Sequence, residues 1–449
     1  MADEGRYAER MFPAPVDPGI ARPDRAVCTV FSGVDSAESG AWQDPERWYH
    51  GSGRVGERAR ESIVIYPPTR GVRSQGDPFE PARIGVLIDM ELGKLLADTI
   101  DPYILAIEDA MNEGVYDRGP VELTTVDARG LPRENHLKVV KGYQRLVDHG
   151  CCLVLGPMIA DNSELLAPVI DAARVPAITW TGSVRYSGEY CFNIANGGIP
   201  EESVICANWV RQQGHRRVGF VWERGSSGPD YADYFRRTAL RLGLSVTKEV
   251  CVSPNPRFLE EALGEMKELG TEALVYVGYG YAAFHFGPIL RELAWDPPRI
   301  MGTAFMFYSN RDEWAAGIEG WHGIDQLGED GANPNYEAMV RRFEARFRRK
   351  AGNVVVALAY DTARAAMEAL GNARIPTPRH VKEGLEMIKW MPAANGGPAT
   401  NITFGPFDHR GYKGDYLTIR ELRNGKLAFR GYYRPEWPAN LEAPRTREP

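Results

Sequence analysis

The sequence predicts an α/β fold made of two successive units of parallel sheet, and three observations carry that class. From residue 82 onward, short apolar runs rich in β-branched residues alternate with stretches whose apolar residues recur at helical spacing. The alternation breaks once, at the linker "FNIANGG" (192–198), and then restarts. Most strand cores carry no charge, which is the pattern of strands covered by helices on both faces.

In the first unit, "RIGVLID" (83–89) reads as a buried strand. In "DPYILAIEDAMNEG", Ile104, Ile107 and Met111 recur at helical spacing. Strand "VELTTVDA", helix "NHLKVVKGYQRLVDHG", strand "CCLVLGP", helix "NSELLAPVIDAAR" and strand "PAITWT" follow. In the second unit, helix "EESVICANWVRQQG" leads to strand "RVGFVWE", helix "DYADYFRRTALRLG" to "SVTKEVCV", helix "RFLEEALGEMKELG" to "ALVYVGY", and helix "AFHFGPILRELAW" to "RIMGTAF". The end differs: helical stretches at 334–350, 354–373 and 378–389, then strand "NITFGPF" and a hairpin "DYLTIRELRNGKLAFRGYY" turning at Asn424-Gly425.

At 449 residues the chain is long enough for two or three domains, and 43% hydrophobic with 25% charged residues is ordinary globular composition. Residues 1–81 are irregular, rich in Pro, Gly, Arg and Asp, and too poor in apolar residues for a core of their own; only "ESIVIYPP" (61–68) looks like a strand. The net charge is −7 and the basic clusters Arg341-Arg342 and Arg348-Arg349-Lys350 read as one solvated helix face, so no nucleic-acid partner is expected. No stretch approaches the roughly 18 apolar residues of a membrane span. The N-terminus lacks a basic segment followed by an apolar one, so a cytoplasmic location is expected, with an extracytoplasmic one as the alternative. None of the six cysteines forms a C-x-x-C pair, and no metal or cofactor is expected.

Four strand-end loops carry the candidate chemistry. "ALVYVGYGYAAF" (273–284) has Gly278 and Gly280, with Ala283 three residues on: the spacing of a dinucleotide loop. No acid ends the next strand, "RIMGTAF", so a ligand-pocket wall bearing Tyr279 and Tyr281 is the preferred reading over nucleotide binding, beside a purely structural turn. "GPMIADNS" (156–163) opens a helix, with Asp161 or Asn162 as its cap and free amides for an anion. "TWTGS" (179–183) offers the Thr181 and Ser183 hydroxyls. "WERGSSGPDY" (222–231) offers Ser226, Ser227 and Tyr231, with Ser227 or Asp230 as helix cap in the plainer reading. There is no G-x-S-x-G, H-E-x-x-H or G-K-[ST]; His215 and His285 lack partners; Asp89 and Glu91 at a strand end do not make a mechanism alone. No enzyme activity is expected.

From about 82 to 434 the chain resembles the type I periplasmic-binding proteins, in particular the leucine/isoleucine/valine-binding branch. The resemblance lies in "RIGVLIDM", "AIEDAMNEG", "VDARGLPRENHLKVVKGYQRLVDHGCCLVLGPMIADNS", "ARVPAITWTGS" and "FGPFDHRGYKGDYLTIRELRNGK", in that order. It implies two Rossmann-like lobes with parallel sheets joined by three crossovers (a Venus-flytrap), placed near 194–198, 323–328 and 400–405. Lobe 1 is then 82–195 and 326–400, lobe 2 is 196–325 and 401–434, and 435–449 is a tail. Residues 1–81 have no counterpart.

By resemblance, Thr181 and Ser183 match the positions that hold a ligand's carboxylate. The inferred ligand-binding set is Met158, Asp161, Trp180, Thr181, Ser183, Ser227, Tyr231, Tyr279, Tyr281, Ala304 and Phe305. Amino-acid binders carry a carboxylate for the ligand ammonium where this chain has Ala304. A disulfide found in exported members has no match at Arg129, Gly130 and Met158. The expected function is binding of a small organic molecule, an acid or amide rather than a free branched-chain amino acid, for delivery to an ABC permease. The alternative is a cytoplasmic amide-type sensor acting on a regulatory protein. Oligomeric state, including a homodimer, is left open.

Overall fold

The structure, a computed structural model, describes residues 61–65, 67, 80–90, 95–131, 134–195, 197–253, 256–309, 312–351 and 353–433. The chain divides into two compact units, Met1–Ser62 and Ile63–Pro449, and the account below concerns the second. The expected irregular extension lies mostly outside the described residues, and the tail 435–449 wholly so.

The first sheet contains β1 (Glu61–Ile65), β2 (Ala82–Ile88), β3 (Val121–Asp127), β4 (Leu153–Leu155), β5 (Ala177–Thr179) and β6 (Cys191–Asn193), in the order β1-β3-β2-β4-β5-β6. From β3 to β6 every pairing is parallel. Helices His136–Asp148 and Ala160–Ala173 bury Tyr143, Leu146, Leu166 and Ile170 on one face. On the other face, helices Leu95–Asn112 and Val354–Asn372 pack side by side. The second of these is buried along most of its length; its many alanines permit the close approach, and Asn353 caps it by accepting from the Val355 amide at 3.0 Å.

The second sheet contains β7 (Arg217–Glu223), β8 (Ser245–Val252), β9 (Ala273–Val277), β10 (Arg299–Met301) and β11 (His322–Asp325), parallel in the order β11-β10-β9-β7-β8. A small antiparallel sheet of β12 (Met391–Pro392), β13 (Asn401–Ile402) and β14 (Tyr412–Lys413) follows. The terminal hairpin, β15 (Thr418–Arg423) and β16 (Lys426–Tyr432), then adds antiparallel to β11. It turns at Asn424 and Gly425, both with φ above +50°, as expected from that dipeptide.

Two expectations are corrected. "RIMGTAF" is not a strand to its end. The ladder stops at Met301 because the Thr303 amide donates to the buried Glu202 carboxylate at 2.8 Å, and Ala304 opens a short helix, Ala304–Ser309. The third crossover also comes later than 400–405. Ile402, Phe404 and Tyr412 are buried in the first lobe's core, Leu417 and Ile419 in the second's, and Tyr416 packs against both. Asp361 explains the shift. From inside helix Val354–Asn372 it accepts from the Ala394 and Asn395 amides at 2.7 and 3.0 Å and from the Tyr412 hydroxyl at 2.8 Å, docking the small sheet on lobe 1.

Replacing Asp361 by Ala leaves these buried donors unpaired. At roughly 1–3 kcal/mol for each unsatisfied group, we expect Asp361→Ala to lose about 3–5 kcal/mol, and Asp361→Asn about half of that. Urea unfolding at neutral pH measures it; a loss below about 1 kcal/mol for both variants would contradict this role for Asp361.

Candidate functional site

The carboxyl ends of the two parallel sheets face each other across a cleft, and the four loops singled out in the sequence all lie there. The glycine loop after β9 is filled from within. Glu223, at the end of β7 and almost fully buried, accepts from the Gly280 amide at 3.1 Å and the Ala282 amide at 2.9 Å. A Cβ on Gly278, whose φ is +134°, would stand 2.6 Å from the Glu223 Cβ. The amides that would cradle a phosphate therefore hold a carboxylate of the protein, and the loop's glycines serve that close approach.

The same device fixes the loop after β4. Asp89, fully buried at the end of β2, accepts from the Met158 amide at 2.7 Å, the Ile159 amide at 3.0 Å and the Asn162 side chain at 2.9 Å. Burial pushes its carboxyl up to about 6, against the pull of those donors. Neither Asp161 nor Asn162 caps the helix as expected: helix Ala160–Ala173 begins without a side-chain cap, and these two amides are not free for an outside anion.

Asp161 instead crosses the cleft. Its carboxylate, 4% exposed, accepts from the Ser226 amide (3.2 Å) and hydroxyl (2.5 Å) and from the Ser227 amide (3.3 Å) and hydroxyl (3.2 Å), all on lobe 2. Glu164, one helical turn on, faces the same two hydroxyls at 3.1 Å each and also accepts from Ser183 at 2.5 Å. Arg185 adds an ion pair to Asp230 at 2.9 Å. Ser227 thus reaches across the cleft instead of capping helix Gly228–Leu242. Beside Asp161, the Tyr279 ring lines the cleft and stands 6.1 Å from Tyr281. The Thr181 hydroxyl pairs with Ser163 at 2.8 Å. Gly182 is required at the floor of the cleft, because a Cβ there would lie 1.7 Å from the Gly197 carbonyl oxygen.

Of the eleven residues expected to bind ligand, the cleft wall brings together Asp161, Ser183, Ser227 and Tyr279, with Tyr281 beside Tyr279 and Thr181 behind Ser163. Ala304 begins its helix against Gly280, and Tyr231 donates to Glu202 at 3.1 Å. Three are placed elsewhere. Met158 and Trp180 belong to the first core, where the Trp180 indole donates to Thr362 at 2.9 Å. Phe305 is fully buried against Gly323. Trp180 and Phe305 were expected as aromatic pocket walls; in the structure both rings are buried. Missed in the sequence were Glu164, Arg185 and Glu202. The first was legible in principle, since positions 161 and 164 share a helix face. Among the described residues no group of three or more His, Cys, Asp or Glu is placed to hold a metal ion, and no helix is long and apolar enough to cross a membrane.

Glu202 lies where the first crossover enters lobe 2. Burial pushes its carboxyl up from 4.5 to about 7, against the donation from Thr303 and Tyr231. The folded protein thus holds this proton more tightly than the unfolded chain. The stabilisation is full below about pH 4.5 and is lost as pH rises through about 7. The interval corresponds to about 3 kcal/mol. Unfolding free energies of wild type and Glu202→Gln, compared at about pH 5 and about pH 8, should diverge by an amount of this order, with the variant the less pH-dependent. Parallel profiles would remove Glu202 from the account.

Comparison with known proteins agrees with this geometry. The family model for periplasmic binding proteins matches residues 81–425. No curated protein matches the sequence. Among solved structures, the leucine-binding protein LivK from Thermotoga maritima superposes with a TM-score of 0.66 at 16% identity, over 79% of this chain and 99% of that one. LivJ from Streptococcus pneumoniae, in complex with isoleucine, gives 0.66 at 17% identity, over 79% and 100%. A solute-binding protein from R. palustris, in complex with benzoate, gives 0.65 at 13% identity, over 79% and 97%. With two parallel-sheet lobes, chain crossings between them and a cleft at their strand ends, the chain belongs to the periplasmic binding protein family and has its type I, Venus-flytrap fold.

Proposed function

We propose that the protein is a solute-binding protein that closes its two lobes on a small organic molecule and delivers it to an ABC importer. The observation that carries this reading is the pairing across the cleft. Lobe 1 presents Asp161 and Glu164 as acceptors, lobe 2 presents the Ser226 and Ser227 amides and hydroxyls as donors, and both sets come into register only when the lobes meet. That suits binding and release. Delivery to an importer places the protein on the outer side of the membrane, in place of the cytoplasmic location and sensor role that the N-terminus suggested. Fractionation of the native cell decides between them: recovery with the cytosol would favour the sensor.

The fold alone does not choose the ligand, since isoleucine and benzoate both occur in structural neighbours. Within the expected acids and amides, the amide fits this cleft better. Its NH₂ can donate to Asp161 or Glu164 while its carbonyl accepts from a serine hydroxyl or amide, so every partner stays paired. A ligand carboxylate would face Asp161 and Glu164 at close range; an ammonium would pair with those two acids, but a free amino acid would then bring its own carboxylate beside them, and Ala304 gives it no separate site for the ammonium.

A thermal-shift panel of aliphatic and aromatic amides, the matching acids and the branched-chain amino acids tests this. A ligand at about 100 times its dissociation constant should stabilise by about 2.7 kcal/mol. Shifts with amides and not with leucine, isoleucine or valine are expected. The reverse, or shifts confined to free amines, would overturn the ligand class. Mass spectrometry of the bound amide after prolonged incubation should return it unchanged; steady product formation abolished by cleft substitutions would overturn the binding-only role.

A further inference from the structure

We propose that Asp161 is a built-in occupant of the cleft: a carboxylate fixed on lobe 1 that docks at the start of helix Gly228–Leu242 on lobe 2, holds the lobes together with no ligand present, and must be displaced before an outside molecule can enter. The inference concerns how the two lobes close, and of the reading above it needs only that they move.

Three features support it. The acceptor and its donors belong to opposite lobes, so every bond to Ser226 and Ser227 is broken by opening. The carboxylate sits where a helix start offers both free amides and the positive end of its dipole, the usual place for a bound anion, and the anion here is part of the chain. The arrangement also has a fixed part that no ligand supplies. Ser226 and Ser227 each have one hydroxyl proton to share between Asp161 and Glu164, at 2.5–3.2 Å, so the two amide bonds to Asp161 at 3.2 and 3.3 Å are its fixed part. The Arg185–Asp230 pair at the rim adds little, because the arginine side chain is half exposed.

Small-angle scattering of the purified protein, with nothing added, tests the proposal. Wild type should be compact and Asp161→Ala should have a larger radius of gyration. Arg185→Ala should stay near wild type. Asp161→Asn, which keeps the shape but weakens the acceptor, should lie between. Ser226→Asp, at an exposed position on the opposite lobe, should also expand the protein, because it sets a second carboxylate against Asp161 without touching the core of either lobe. Circular dichroism and a cooperative unfolding transition establish that each variant is folded. Equal radii for wild type, Asp161→Ala and Ser226→Asp, whether compact or expanded, would overturn the proposal. The outcome does not depend on any ligand: a panel without binders leaves it standing, and its failure leaves the panel result intact.

Discussion

A carboxylate withdrawn from water must find donors, and in this protein the nearest donors are the amides of the loops at strand ends. That constraint organises both lobes. Asp89 fixes the loop after β4, Glu223 the loop after β9, Glu202 the turn after β10, and Asp361 the segment that carries the small sheet. Each acid comes from a neighbouring element, so each bond ties two elements as well as ordering one loop. The arrangement is costly in isolation, as the raised pKa values of Asp89, Glu202 and Asp361 show. It persists because removing one partner would strand the other in a dry interior.

The same constraint decides which loops remain open to a ligand. A glycine-rich turn and a helix start are both ready-made anion sites, and either could have held a phosphate. Here the amides at Met158, Ile159, Gly280 and Ala282 are all engaged by the protein's own acids. On the function proposed above, recognition falls to the band where the lobes meet, lined by hydroxyls, two carboxylates and a pair of tyrosines. Closure would bring the lobe 1 carboxylates Asp161 and Glu164 against the Ser226 and Ser227 amides and hydroxyls of lobe 2.

The alternation of strands and helices was legible because burial on both faces leaves apolar runs, and because 2-residue and 3.6-residue periods differ plainly. β7 and β8 agree residue for residue with the runs "RVGFVWE" and "SVTKEVCV". Some short elements were not legible. β6, β11, β12 and β14 are two to four residues long and lack the flanking turn signals that marked equally short β4, β5 and β10, and helix Ala304–Ser309 depends on an acid a hundred residues away. Of the candidate site residues, those that the structure brings together lie on strand-end loops with a recognisable turn signature. Trp180 and Phe305 were misplaced because a buried aromatic in the core and one on a pocket wall have the same sequence appearance. Glu202 gave no signal at all: a helical glutamate usually faces solvent, and only the tertiary fold turns this one inward.

Met306 carries a further consequence. It belongs to the helix after β10 in lobe 2, yet its side chain is fully buried in the core of lobe 1. In an opening of the lobes of the kind proposed above, the thioether would leave a dry hole and meet water. Oxidation to the sulfoxide would convert a flexible apolar plug into a polar one that the hole no longer accepts. Damage can then occur only in the open form and would keep the protein in it. The rate at which mild peroxide modifies Met306, read by peptide mapping, becomes a clock for how often the cleft opens.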